Sequence, residues 1–366
     1  MQRKLNEPGF FKSLFNELKA FFKNLFEGDL KETLRLEFQE LKEFFIDEER
    51  QKRLNKMGKL RRWLVMWFWL VRALLVKLSA IRRVFLIISM YLLLTGLGDP
   101  DSEIKLIFSM LVVLYVLMLE LKDKLVARDE LEAGRKIQDA LSPVSDPHIP
   151  NWDVWLFTRS ANQVGGDLVD YMQISDDHFY LALGDVAGKG LPAALFMAKL
   201  QATVRALVPD CSDIRDLGLR LNKIFYRDTI PSSFSSLIYT EITPATGRVK
   251  ILNAGHMPPL KIHRGTIEEL SKGGPALGVV KEATYQAERV DLEKGDILFI
   301  YSDGITEARN TDGHFFGDKR MHQILKANHH LPAKKLGETL LKSVEKYIGQ
   351  ARPHDDLSMI CLKRVA

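Results

Sequence analysis

Along the first 45 residues the apolar positions recur at helical spacing: Phe11, Leu14, Phe15, Leu18, Phe21, Phe22, Leu25 and Phe26, then, past Gly28, Leu30, Leu34, Phe38, Leu41, Phe44 and Phe45. This recurrence predicts two amphipathic helices that pack on each other or on a partner, or lie in a membrane interface. Two uncharged apolar runs follow, Val84 to Gly98 and Leu106 to Leu119, joined by the acidic turn Asp99-Pro100-Asp101-Ser102-Glu103. Each is short, since fifteen helical residues reach about 22 Å of a hydrocarbon layer about 30 Å thick. From Leu121 to Leu141 charge returns around a loose stripe of Leu121, Leu125, Leu131, Ile137 and Leu141, which predicts a linker helix that Pro143 ends. Beyond Pro150 the texture changes to short β-rich runs: Trp152 to Thr158, Asp170 to Ile174, Phe179 to Leu183, Ser235 to Ile242, Arg248 to Asn253, Ile297 to Tyr301 and Leu357 to Leu362. Helical patterns sit among them at 191–208, 212–227, 318–327 and 332–348. Connections such as Ser175-Asp176-Asp177 and Pro244-Ala245-Thr246-Gly247 are too short for crossover helices. Neighbouring strands are therefore at least partly antiparallel, and a layered α/β (α+β) domain is predicted rather than a Rossmann sheet.

With 366 residues, 46% apolar and 27% charged, the chain is long enough for two folded domains, or one with a long appendage. Its two cysteines, Cys211 and Cys361, are far apart, which excludes a disulfide framework or a structural zinc site and predicts an intracellular folded part. Of the net charge of +5, all lies in residues 1–130, with 23 Lys and Arg against 18 acids; residues 131–366 balance at 29 against 29. A nucleic-acid reader would carry its positive charge on the larger folded part, so no nucleic acid is expected as a partner. The start of the chain has no signal-peptide pattern. Between Arg50 and Arg83 lie eleven basic residues and no acid, with Trp63, Trp67 and Trp69 near the middle. That is the composition of a cytoplasmic membrane flank, and Arg82, Arg83, Lys105 and Lys122 could snorkel to lengthen a short span. The expectation is a membrane hairpin that touches lipid, with both ends and the domain that follows it in the cytoplasm. A buried soluble hairpin or dimerisation core in a wholly cytoplasmic protein is the competing reading. The organisation expected is thus an amphipathic and basic region over 1–83, an apolar helical hairpin over 84–121, a linker helix over 122–142 and an α/β domain over 143–366.

Four acidic clusters mark strand ends or turns: Val164-Gly165-Gly166-Asp167, Gly184-Asp185-Val186-Ala187-Gly188-Lys189-Gly190, Ser302-Asp303-Gly304 and His354-Asp355-Asp356. An isolated Asp-Gly is usually only a turn. Here Asp185 and Asp303 directly follow apolar strands, and Asp355 and Asp356 precede one. Carboxylates gathered at the ends of core strands repel one another unless a cation neutralises them. Oxygen ligands without cysteine or a helical His pair point to Mg or Mn. The run Gly184 to Gly190 lacks the spacing and the Ser/Thr of a P-loop, and Leu168 and Val169 replace the residues a diguanylate cyclase signature needs after Gly-Gly-Asp.

The ordered set VGGDLVDY, GDVAGKGLPAAL, NAGHMPPL, YSDGITEA and DDLSMI resembles the bacterial SpoIIE/RsbU branch of the metal-dependent PPM (type 2C) protein serine/threonine phosphatases. The lead-in Leu131 to Gln138 resembles the helix that precedes that domain, and the likeness covers about residues 128–364. The resemblance implies an αββα four-layer sandwich with two Mg or Mn ions at one end. Asp185 would bridge both ions with help from the Val186 carbonyl; Asp167, Asp303 and Asp355 would complete the shell, with Asp356 the alternative at the last position. Asp185 and Asp303 would then be catalytic through the metals. Two cations activate a water and stabilise both oxygens of an in-line displacement, so no nucleophilic side chain is needed. The implied partner is a phosphorylated signalling protein, such as a STAS-domain antagonist of an anti-sigma factor, and the linker helix could support a homodimer. His256 is a candidate to protonate the leaving serine oxygen or a turn-stabilising residue, and Lys189 a phosphate contact or a loop lysine. The rival function is a non-catalytic scaffold that binds a phosphoprotein without turning it over.

Overall fold

The computed structural model describes residues 46, 50, 53–54, 57–97, 102–211, 213–228 and 234–366. The helices expected over Phe11–Phe26 and Leu30–Phe45 lie outside them. The chain divides into two compact units, residues 1–124 and 125–366.

In the first unit three helices are described: α1 (Lys59–Lys77), α2 (Ala80–Gly96) and α3 (Glu103–Leu141), the last continuing into the second unit. A polar staple joins α2 to α3 in the middle of their apolar stretches. Ser89 Oγ donates to the Ser109 carbonyl at 3.1 Å and Ser109 Oγ donates back to the Ser89 carbonyl at 2.9 Å. Serine hydroxyls can hydrogen-bond across a helix pair in this way. Phe85 and Tyr115 meet edge to face, and Arg82 pairs with Glu120 at 2.6 Å and with Asp123. The other faces of the pair stay open, exposing Ile87, Leu94, Ile107, Leu111 and Met118. Among the described residues, two helical stretches are long and apolar enough to cross a membrane, Glu103–Leu141 and Leu191–Asp210.

The second unit is built on two five-stranded sheets. The first, in the order β1 (Trp152–Arg159), β10 (Leu357–Arg364), β9 (Ile297–Tyr301), β6 (Leu260–His263), β7 (Thr266–Glu269), is antiparallel throughout. So is the second, β2 (Leu168–Ser175), β3 (His178–Val186), β4 (Ser235–Thr243), β5 (Arg248–Ala254), β8 (Ala287–Asp291). The central strands of each sheet hide both faces. In β3, Phe179, Leu181 and Leu183 enter the core between the sheets, while Tyr180 and Ala182 face outward against α4 (Leu191–Leu207) and α5 (Ile214–Arg227). On the other side Trp155, Phe299, Met359 and Cys361 pack under α7 (Asp318–Asn328) and α8 (Ala333–Ile348). Strands buried on both faces read as continuous apolar runs, which is why they stand out in the sequence. The result is an αββα sandwich, as the motifs implied. It also explains the apolar stretch Leu191–Asp210: Phe196, Met197, Leu200 and Val204 on it are core residues of the sandwich. On the opposite side, α8 lies so close to β1 that a Cβ on Gly337 would fall 2.0 Å from the Trp155 ring.

Strands β6, β7 and β8 are additions to the seven the pattern predicted. β6 and β7 have four residues each and turn over Arg264 and Gly265, both with positive φ, the hairpin geometry that matches strand twist. β8 is a charged edge strand in which only Val290 is buried.

Candidate active site

Strand register brings the acidic clusters together. Leu168 at the start of β2 lies opposite Gly184 near the end of β3, so Asp167 and Asp185 leave adjacent strands at the same edge. In the other sheet Tyr301 at the end of β9 pairs with Met359 near the start of β10, which puts Asp303 beside the Asp355-Asp356 turn. The two pairs face each other across one end of the sandwich. A short helix, α6 (Asp303–Thr306), follows β9, and a Cβ on Gly304 would meet the Asp356 carbonyl at 1.9 Å, so only glycine lets these segments approach.

The crowding appears in the proton affinities. Burial, then the charges of Asp303, Asp355 and Asp356, push Asp185 up from 3.8 to about 7. Burial, then Asp185 and Asp356, raise Asp167 well above the carboxylate range, against the pull of the Ser358 and Ser302 hydroxyls. Burial, then Asp355 and Glu307, raise Asp303. Each of these shifts says that the ionised form lacks a counter-charge.

The two candidates at the last position make different contacts. Asp356 spends both oxygens on backbone: Oδ1 accepts from Ala161 N–H at 2.8 Å, and Oδ2 from Gly166 N–H at 2.7 Å and Asp167 N–H at 3.3 Å. It is a clamp on the loop that carries Asp167. Asp355 instead points to the surface side, where Lys189 Nζ reaches its Oδ2 at 2.9 Å and the His354 carbonyl at 2.6 Å. Lys189 stands between Gly188 and Gly190, both at positive φ. The Val186 carbonyl lies against Gly166, where a Cβ would come within 3.1 Å. Asp170, the second acid of the VGGDLVDY run, is fully buried and satisfied by Arg205, Tyr180 and Gln201.

His256 resolves in favour of the turn. Burial depresses it to about 4, so it is neutral, and both ring nitrogens are engaged. Nε2 donates to the Tyr301 carbonyl at 3.1 Å and Nδ1 accepts from Ser236 Oγ at 2.6 Å. It joins the two sheets beneath the acidic end, and it has no free proton to give a leaving group.

Among the described residues no three acidic, His or Cys side chains close into a cation cage. The donor set nonetheless fits divalent cations. It is all oxygen, its members repel one another, and Asp167 Oδ2 is buried without a hydrogen-bond partner. A buried carboxylate oxygen left unsatisfied is costly and marks a place where a cation would be welcome. Sequence reasoning missed Gln138, whose side chain grips the Asp167 loop: Nε2 donates to the Gly165 carbonyl at 2.9 Å and Oε1 accepts from Gly165 N–H at 3.1 Å. A lone glutamine on a polar helix gives no signal of such a role.

The family model described as stage II sporulation protein E (SpoIIE) matches residues 175–365. The protein IcfG of Synechocystis is 29% identical over 273 residues, which are 67% of this chain and 43% of that protein. The phosphoserine phosphatase RsbU of Bacillus subtilis is 25% identical over 239 residues, 65% of this chain and 70% of RsbU. The chain thus spans less than half the length of IcfG and somewhat more than two thirds of RsbU. Among solved structures, the SiaA PP2C domain of Pseudomonas aeruginosa superposes with a TM-score of 0.59 at 18% identity, covering 67% of this chain and 99% of that domain. A SpoIIE fragment of Bacillus subtilis with its PP2C phosphatase domain gives 0.51 at 17% identity, covering 60% of this chain and 64% of that one. At these identities the structural likenesses establish the fold.

Proposed function

As the chain belongs to the SpoIIE family, we propose that it is a protein phosphatase that hydrolyses phosphoserine or phosphothreonine in a signalling partner with the help of Mg or Mn. Asp185, with Asp167, Asp303, Asp355 and the Val186 carbonyl, would hold two ions. The observation that carries this reading is the meeting of strand-end carboxylates around a buried Asp167 oxygen with no partner. When bound, divalent cations supply the charge that activates a water for in-line attack on phosphorus and steadies the departing oxygen. The chain's own residues hold the frame for that chemistry. Asp356 and Gln138 fix the Asp167 loop from opposite sides, and the Ser235 hydroxyl fixes the end of β3 through the Asp185 carbonyl at 3.1 Å. The phosphoprotein class the motifs imply is a STAS-domain antagonist of an anti-sigma factor. The full-length chain in detergent should release phosphate from a phosphoserine peptide with Mn or Mg and stop with chelator. Metal binding without turnover on any phosphopeptide would favour the phosphoprotein-binding scaffold instead.

We propose further that α2 and the first half of α3 form a hairpin in the membrane. The Ser89–Ser109 staple satisfies polar groups inside an otherwise apolar pair, and the outward faces carry only apolar side chains over several turns. The basic, tryptophan-bearing α1 would lie at the cytoplasmic surface. Fractionation of expressing cells should leave the chain in alkali-washed membranes; recovery in the supernatant would refute the insertion.

A further inference from the structure

We propose that Gln138, in the last turn of α3, is a positioning residue for Asp167, setting the geometry and hence the cation affinity of the acidic site; this rests on the phosphatase reading above. The loop 160–167 is gripped between two side chains. On one side Asp356 takes the N–H groups of Ala161, Gly166 and Asp167. On the other Gln138 forms two antiparallel hydrogen bonds with the single residue Gly165, at 2.9 and 3.1 Å, as a neighbouring strand would. Gly165 has no room to adjust: a Cβ there would stand 2.3 Å from Asp356 Oδ2 and 2.5 Å from Ser160 Oγ. A shift of the Gln138 amide is therefore passed through a tightly packed glycine to Asp167, two residues on, whose Oδ2 is buried without a hydrogen-bond partner.

The end of α3 is itself held in register. Gln201 on α4 donates from one Nε2 to the Leu141 carbonyl at 2.9 Å and to Asp170 at 3.0 Å, and Asp170 lies on β2 just beyond Asp167. The same helix end thus touches the loop before Asp167 and, through Gln201, the strand after it. The side chain of residue 138 must donate and accept at one peptide unit while reaching across from a helix. Glutamine does both, glutamate only accepts, and alanine does neither.

The test is made on the full-length chain in detergent with Gln138→Ala and Gln138→Glu. Mn²⁺ binding is titrated by electron paramagnetic resonance, and kcat and KM are measured on a phosphoserine peptide. Both variants should bind Mn²⁺ about tenfold or more weakly, in the range of losses seen when a group orienting a metal ligand is removed. Their kcat should fall and recover in part at high Mn²⁺, with KM within about twofold and the melting temperature little changed. Glu, which keeps one of the two hydrogen bonds, should fold even if Ala does not. Unchanged Mn²⁺ affinity in a variant beside a Mn²⁺-binding wild type would overturn the positioning role, and so would a loss explained wholly by lower melting temperature. A wild-type chain that neither binds Mn²⁺ nor hydrolyses the peptide would overturn the phosphatase reading and this inference with it.

Discussion

Replacing Asp185 by Asn is expected to abolish phosphate release while making the metal-free protein more stable. Asn keeps the shape of the side chain at the end of β3 and removes its charge. If Asp185 bridges two cations, its loss removes charge neutralisation worth several kcal/mol in the transition state. At about 1.4 kcal/mol per factor of ten, hydrolysis should fall by about three orders of magnitude. The same charge is a burden without metal, because burial and three neighbouring carboxylates oppose its ionisation. Thermal melting in chelator at about pH 8, where the carboxyl is mostly ionised, should therefore show the variant melting above the wild type. Full activity in Asp185→Asn would remove the metal assignment. Lower stability in chelator would show that the carboxylate is held by contacts that outweigh the repulsion.

Acidity should act on the metal-free protein in the unusual direction. Asp185 titrates near 3.8 when unfolded and about 7 when folded. Below about pH 4 both states hold the proton and the group costs nothing. Between about 4 and 7 the unfolded chain has released its proton while the folded one keeps it, so stability falls as pH rises; above about 7 the full cost applies. That cost is at most about 4 kcal/mol for this group alone, and Asp167 and Asp303, also raised, act in the same sense. Asp213, held down to about 2 by Arg215, acts oppositely but only in stronger acid, as pH falls below about 4. In chelator the sandwich should thus melt at a lower temperature at about pH 8 than at about pH 5, and saturating Mg or Mn should restore it most at the higher pH. A melting temperature that rises from pH 5 to pH 8 in chelator would contradict the crowding of the site.

How far the sequence disclosed this molecule depended on how much apolar surface each element buries. β3, β9 and β10 are covered on both faces and were plain from the apolar runs Phe179–Leu183, Ile297–Tyr301 and Met359–Leu362, while β4 was marked by Leu237-Ile238-Tyr239 among β-formers. β7 and β8 are edge strands whose residues mostly meet solvent, and nothing in Thr-Ile-Glu-Glu or Ala-Glu-Arg-Val-Asp distinguishes them from loop. Charged edges of this kind also deter pairing with another chain, so their illegibility has a physical reason. At the site, Asp167, Asp185 and Asp303 were visible because a glycine stands beside each at a strand end, and Asp355 because it closely precedes an apolar strand. The contacts that set Asp356 apart from Asp355 were not, because Asp356 accepts from three backbone N–H groups nearly two hundred positions away. His256 and Gln138 were undetermined for the same reason: their roles are set by partners distant in the chain, Ser236, Tyr301 and Gly165.

The pairing of β1 with β10 sets a timetable for the ribosome. β1 has β10 as its single neighbour, with Trp152 opposite Arg364 and Arg159 opposite Leu357. At roughly 5–20 residues per second, about 10–40 seconds of synthesis separate the emergence of the two. During that interval the apolar side chains of β1, among them Trp152, Val154, Trp155 and Leu156, have no partner strand. In the second sheet, β2-β3-β4-β5-β8, the longest wait is the stretch between Val186 and Ser235 that separates β3 from β4, about a quarter of the separation between β1 and β10. The half of the molecule bearing Asp167 and Asp185 can therefore assemble while the other half waits. Asp355 and Asp356, just ahead of β10, are the last of the acidic residues to arrive, and the growing chain can gain no complete site until they do.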